Sequence, residues 1–147
     1  MTQAPPSSFN ALLNRVGQEN VVHFQNGLPG FPMENRFVIL QNPNDRPLAW
    51  MQSLNTERLA FVITSPFVLF PDYRPDVSEY DLALIGSPAL EEVLLISIVR
   101  LVNGTPPELY VNLKAPIIIN LRTFEGRQVI LKNESVFSEK AVYRVKV

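Results

Sequence analysis

The chain has 147 residues, 46% of them hydrophobic, which fits one domain able to bury its own core. A formal net charge of −1 argues against a whole-surface grip on nucleic acid or anionic membrane, since phosphate binding needs concentrated Lys and Arg. Without cysteine there is no disulfide framework, no Cys-based metal site and no thiol nucleophile, so the fold must stand on packing.

Met1 to Ser8 is polar and Pro-containing, unlike a signal peptide. No apolar run reaches the roughly 20 residues needed to span a bilayer, so the expected location is the cytoplasm. The sequons at Asn103-Gly104-Thr105 and Asn133-Glu134-Ser135 are then chance matches. Phe9, Leu12, Leu13 and Val16 recur at helical spacing and stop before Gly17. Residues 1–19 are accordingly read as an arm carrying a short helix or an irregular segment.

From Asn20 the texture changes to short runs of Val, Ile and Phe punctuated by Gly, Pro and Asn, the pattern of an all-β protein. Strands are expected at 20–25, 36–41, 48–54, 59–65, 92–102, 109–114, 116–120 and 127–132, with a further candidate near 142–146. Gly27-Leu28-Pro29-Gly30 reads as a tight turn, because its proline removes an N–H that a phosphate cradle would use. Pro29, Pro32, Pro43, Pro47, Pro66, Pro71, Pro75, Pro88 and Pro106 should mark strand ends, since proline cannot donate to a ladder. One short helix is expected after Ser78, with Glu79 and Asp81 at its positive end and Gly86 beyond its last turn.

Val93 to Val99 is almost continuously apolar and must be covered on both sides or lie in a closed wall. Tyr110 to Ala115 alternates instead, placing Val111, Leu113 and Ala115 inward and Asn112 and Lys114 outward. With no internal repeat, the expected fold is all-β, mainly antiparallel: one small β-barrel-like domain over 1–147 with one or two short helices. Residues 133–147 are set apart as a C-terminal segment, with its one strand candidate near 142–146.

Chemistry-bearing motifs are sparse. His23 is the sole histidine and has no Cys or second His to complete a metal shell, so neither a metal nor a cofactor is expected. No Gly-x-Ser-x-Gly elbow occurs, and Asp72 with Asp76, or Glu91 with Glu92, read as solvated loop charges. No catalytic residue is assigned. Residues 114–147 carry seven basic side chains against three acidic, scattered from Lys114 through Arg122, Arg127, Lys132, Lys140 and Arg144 to Lys146, without an interleaved aromatic platform for RNA. Residues 72–92 are biased the other way, with Asp72, Asp76, Glu79, Asp81, Glu91 and Glu92 against Arg74 alone. Such a run either steers a basic partner or simply keeps a helix soluble.

Phe24-x-x-Gly27-Leu28-Pro29-Gly30-Phe31 followed by Arg36-Phe37-Val38-Ile39-Leu40 resembles the opening of the flagellar assembly factor FliW family. Trp50-Met51-Gln52-Ser53, Leu59-Ala60-Phe61-Val62-Ile63, Pro66 through Tyr73, Val111 through Asn120 and Gln128-Val129-Ile130-Leu131 follow in family order. The first twenty residues and Ser135 to Val147 depart from it. The resemblance implies a non-enzymatic protein that binds the translational regulator CsrA, relieves its repression of flagellin translation and also binds flagellin, the two partners competing. The alternative is a small RNA- or ligand-binding β-barrel without that switch. Among the motif residues, Phe70, Asp72 and Tyr73 in the Pro-rich loop and Asn112 and Lys114 on their strand are the exposed candidates for partner contact. Each has a structural alternative: Phe70 and Tyr73 pinning the loop to the barrel, Asn112 bonding the neighbouring turn.

Overall fold

The longest apolar run of the sequence forms the longest strand, β5 (Val93–Val102), and over Val93–Val99 both of its faces are covered. Side chains of an extended chain alternate between faces. Leu94 and Ile96 join one buried cluster with Phe24, Phe37, Ile39, Met51, Ile63, Ile117 and Ile119, while Val93, Leu95 and Val99 join another with Phe67, Tyr73, Val111 and Ile118. The absence of alternation in Val93–Val99 thus reflects a strand between two apolar layers, as the sequence implied.

The computed structural model describes residues 16, 17, 20–132, 137, 138 and 140–144. The other strands are β1 (Val22–Phe24), β2 (Arg36–Leu40), β3 (Leu48–Ser53), β4 (Ala60–Thr64), β6 (Glu108–Val111), β7 (Ile117–Asn120), β8 (Glu125–Gln128) and β9 (Ala141–Arg144). Two short helices, α1 (Pro66–Leu69) and α2 (Glu79–Ala83), interrupt them. The strands lie in the order β4-β3-β2-β1-β8-β7-β5-β6-β9, and a further β4–β5 pairing closes the sheet into a ring from which β6 and β9 extend. All pairings are antiparallel except β1 with β8. The first cluster fills the ring; the second lies between its outer face and the segment bearing α1 and α2.

Closure leaves few edges to manage, and no described proline lies inside a strand. The expected arm at 1–19 lies outside the described residues except for Val16 and Gly17; Val16 is fully buried in the ring cluster. The strand expected at 109–114 ends instead at Val111. Val111 pairs with Val99 and Ile117 with Ile96, so residues 112–116 stand opposite only Ser97 and Ile98 and must loop outward. Asn112 accepts the N–H of Ala115 through its side chain at 2.9 Å and closes that loop as a turn.

Candidate functional site

Turn chemistry, a helix cap and a clamp together build one concave surface. Leu28 and Phe31 exchange backbone hydrogen bonds of 3.2 and 2.7 Å, with Pro29 and Gly30 at the bend. Proline suits the first central position, and Gly30 at φ +83° supplies the left-handed second one, giving the tight turn expected of this stretch. Ser78 caps α2, its hydroxyl accepting the Asp81 N–H at 3.1 Å. Gly86, at φ +94°, ends the following turn. The buried Asn120 side chain donates to the Ile85 carbonyl at 2.7 Å and accepts from the Arg122 N–H at 2.8 Å, tying that turn to the end of β7.

Between α2, the 27–32 turn and β8 lie two contiguous hollows of about 460 and 530 Å³, which share Pro29, Arg127 and Gln128. Asp81 lines the second of them, where it accepts Arg127 Nε at 3.3 Å on one oxygen and the Ser78 hydroxyl at 2.9 Å on the other. Around this ion pair the apolar side chains are unusually open: Tyr80 is 70% exposed, Ile130 65% and Leu84 40%. No local pattern in the sequence marks Tyr80, Ile130 or the Asp81–Arg127 pair as a site. Asp81 and Arg127 are 46 positions apart, and only the β7–β8 pairing with the Asn120 clamp brings them together. The cleft does collect three motif segments, Gly27–Gly30, Ala115 and Gln128–Ile130.

The five proposed contact residues fall in two neighbouring segments. Asp72 is exposed and Phe70 is half-buried, its ring edge-on to Tyr143 at 6.2 Å. Tyr73, expected among the exposed candidates, is instead 2% exposed. Its ring packs against Phe67 and Phe137, and its hydroxyl donates to the Leu113 carbonyl at 2.7 Å. Burial pushes that hydroxyl's pKa well above the usual phenol range. Asn112 and Lys114 are half-buried in the turn rather than standing out from a strand.

The acidic and basic stretches are each divided. Within 72–92, Asp72, Glu79 and Glu91 are exposed while Asp81 is bonded to Arg127. Of the basic residues after Lys114, Arg127 pairs with Asp81 and Arg144 with Glu108 at 3.0 Å. His23 is exposed on β1, and no cluster of three or more potential metal ligands occurs among the described residues. No helix among them is long and apolar enough to cross a membrane.

The family model described as "FliW protein" matches residues 12–141. Flagellar assembly factor FliW of Bacillus licheniformis is 35% identical over 87% of this chain and 89% of its own length. The protein of the same name from Caldanaerobacter subterraneus is 38% identical over 80% and 78% respectively. A crystal structure of the flagellar assembly factor FliW superposes with a TM-score of 0.73 at 36% identity, covering 82% of this chain and 83% of that one. A ring-like sheet with an outer layer of short helices and loops, shared over this length, defines a β-sheet protein of the flagellar assembly factor class. The chain belongs to the FliW family.

Proposed function

We propose that the chain binds a CsrA-type translational regulator and, in competition with it, flagellin, and so couples flagellin synthesis to flagellum assembly in the cytoplasm. Family membership over residues 12–141 is the observation that carries this reading. The action is linkage between binding equilibria, with no covalent step. While flagellin occupies the protein, the regulator stays active on its messenger; export of flagellin frees the protein to sequester the regulator.

The surface chemistry supports this reading. Asp72, Glu79 and Glu91 leave exposed negative charge suited to the basic face of an RNA-binding regulator. Asp72 and Phe70, with Asn112 and Lys114, supply contacts, and the buried Tyr73 holds their two segments in place. The RNA-binding alternative is less favoured, because Arg127 and Arg144 stand on the separate strands β8 and β9, each beside a carboxylate, Asp81 of α2 and Glu108 of β6, rather than in one basic stripe.

Gel filtration of the purified chain with the regulator and with flagellin tests the proposal. Two binary complexes and no ternary complex are expected; a ternary complex, or co-elution with neither protein, contradicts it.

A further inference from the structure

The ladder between β7 and β8 runs on past the ends of both strands. Val129 donates its N–H to the Pro116 carbonyl at 2.9 Å and Leu131 donates to Lys114 at 3.0 Å, in the register that pairs Ile117 with Gln128. Pro116 has no N–H with which to return a bond, which is why the pairing there is one-sided. Residues 129–131 nonetheless continue β8.

Successive residues of an extended chain direct their backbone groups to opposite edges. Since Val129 and Leu131 face 114–116, Ile130 presents its N–H and C=O to the other edge. That edge is occupied by β1 only as far as Gly126, opposite Phe24, after which the chain turns away at Gly27. Among the described residues no hydrogen bond reaches the backbone of Ile130. The open edge borders the cleft, whose walls there are Tyr80, Pro29 and Ile130 itself.

The charge available in the cleft is positive. Both Asp81 oxygens are engaged, by Arg127 and by Ser78, whereas the ion pair uses only Arg127 Nε and leaves the Nη groups of the guanidinium. Lys132, exposed on the same wall, has no side-chain partner among the described residues.

We propose that the cleft binds an extended segment of a partner protein, which adds as a strand to the Gln128–Lys132 edge and presents a carboxylate side chain alternating with apolar ones. Main-chain hydrogen bonds to Ile130 supply register, as in other strand-addition complexes. Apolar side chains of the segment pack between Tyr80 and Ile130, and the carboxylate meets Arg127 and Lys132. The inference does not depend on which partner is proposed above.

The test is titration of the ¹⁵N-labelled full chain with two blocked peptides, Val-Glu-Val-Glu-Val and Val-Lys-Val-Lys-Val. Saturable shifts confined to Arg127–Lys132 and Tyr80–Leu84 are expected, with slowed exchange of the Ile130 amide hydrogen. The glutamate peptide should bind at least about tenfold more tightly than the lysine peptide. Ile130→Pro, which removes the N–H, should abolish binding, and Lys132→Glu should shrink or reverse the preference without altering the melting temperature. If Ile130→Pro fails to fold, the Lys132→Glu comparison and Ile130 amide protection still decide. No saturable shift, shifts elsewhere, or equal affinity for both peptides would overturn the proposal. So would displacement of the glutamate peptide by an oligouridylate, which would assign the cleft to RNA.

Discussion

The hydroxyl of Tyr73 donates a 2.7 Å hydrogen bond to the carbonyl of Leu113, 40 positions further along the chain. Through it the Pro-rich loop after α1 and the 112–116 turn form one unit, so both segments proposed to meet the regulator move together. Tyr73→Phe keeps the ring packing and leaves the Leu113 carbonyl without this donor, at an expected cost of about 1–2 kcal/mol. Urea denaturation measures it.

The same burial has a pH signature. The folded-state pKa of Tyr73 lies above its unfolded value of about 10. Its contribution is therefore present in full below about pH 10 and is lost as the pH rises further, because the unfolded chain then binds fewer protons than the folded one. Stability should decline more steeply above about pH 10 in the parent chain than in Tyr73→Phe. Parallel slopes in denaturation series across that range would contradict this.

Tyr73→Ala does not isolate a binding contact. Removing a buried aromatic ring costs about 3–5 kcal/mol, a large fraction of the stability of a chain this size. Asp72→Lys is the cleaner probe, since Asp72 is exposed. It should change folding stability by less than about 0.5 kcal/mol and weaken regulator binding by about tenfold or more through charge reversal. Unchanged affinity would remove this loop from the interface.

Two glycines of the 27–32 turn should respond differently to alanine. Both have positive φ, +67° at Gly27 and +83° at Gly30. A Cβ at Gly27 would stand 2.4 Å from the Phe31 carbonyl oxygen, whereas at Gly30 it would meet nothing within 4 Å. Gly30→Ala should therefore cost about 1 kcal/mol of backbone strain, and Gly27→Ala distinctly more, because fixed backbone must shift. Thermal melts of the two variants should rank them in that order.

Ser97 is a polar residue in an apolar layer: its hydroxyl is buried and has no hydrogen-bond partner among the described residues. Ser97→Ala should be neutral or stabilising by up to about 1 kcal/mol, since an unpaired buried hydroxyl is costly. A loss of more than about 1 kcal/mol on denaturation would show that the hydroxyl is engaged.

The strands were legible because their signals are local. Val93–Val99 announces double coverage by its unbroken apolar run, and Pro29-Gly30 announces its turn by the φ each residue permits. The excursion at 112–116 was hidden, because Val111, Leu113 and Ala115 alternate as a strand would. Only the register with β5 shows too many residues for the space. Tyr73 read as a loop aromatic, yet the layer that buries it is formed by distant segments, among them α1 and Phe137. The cleft was invisible for the same reason: Tyr80, Arg127 and Ile130 belong to separate segments joined by tertiary pairing alone.

The central claim is partner exchange on this chain, and isothermal titration tests it most directly. The purified chain is titrated with the CsrA-type regulator from the same source, and flagellin is then added as competitor. A saturable complex that flagellin displaces is the expected result; no heat with either partner, or a regulator complex indifferent to flagellin, would contradict the account.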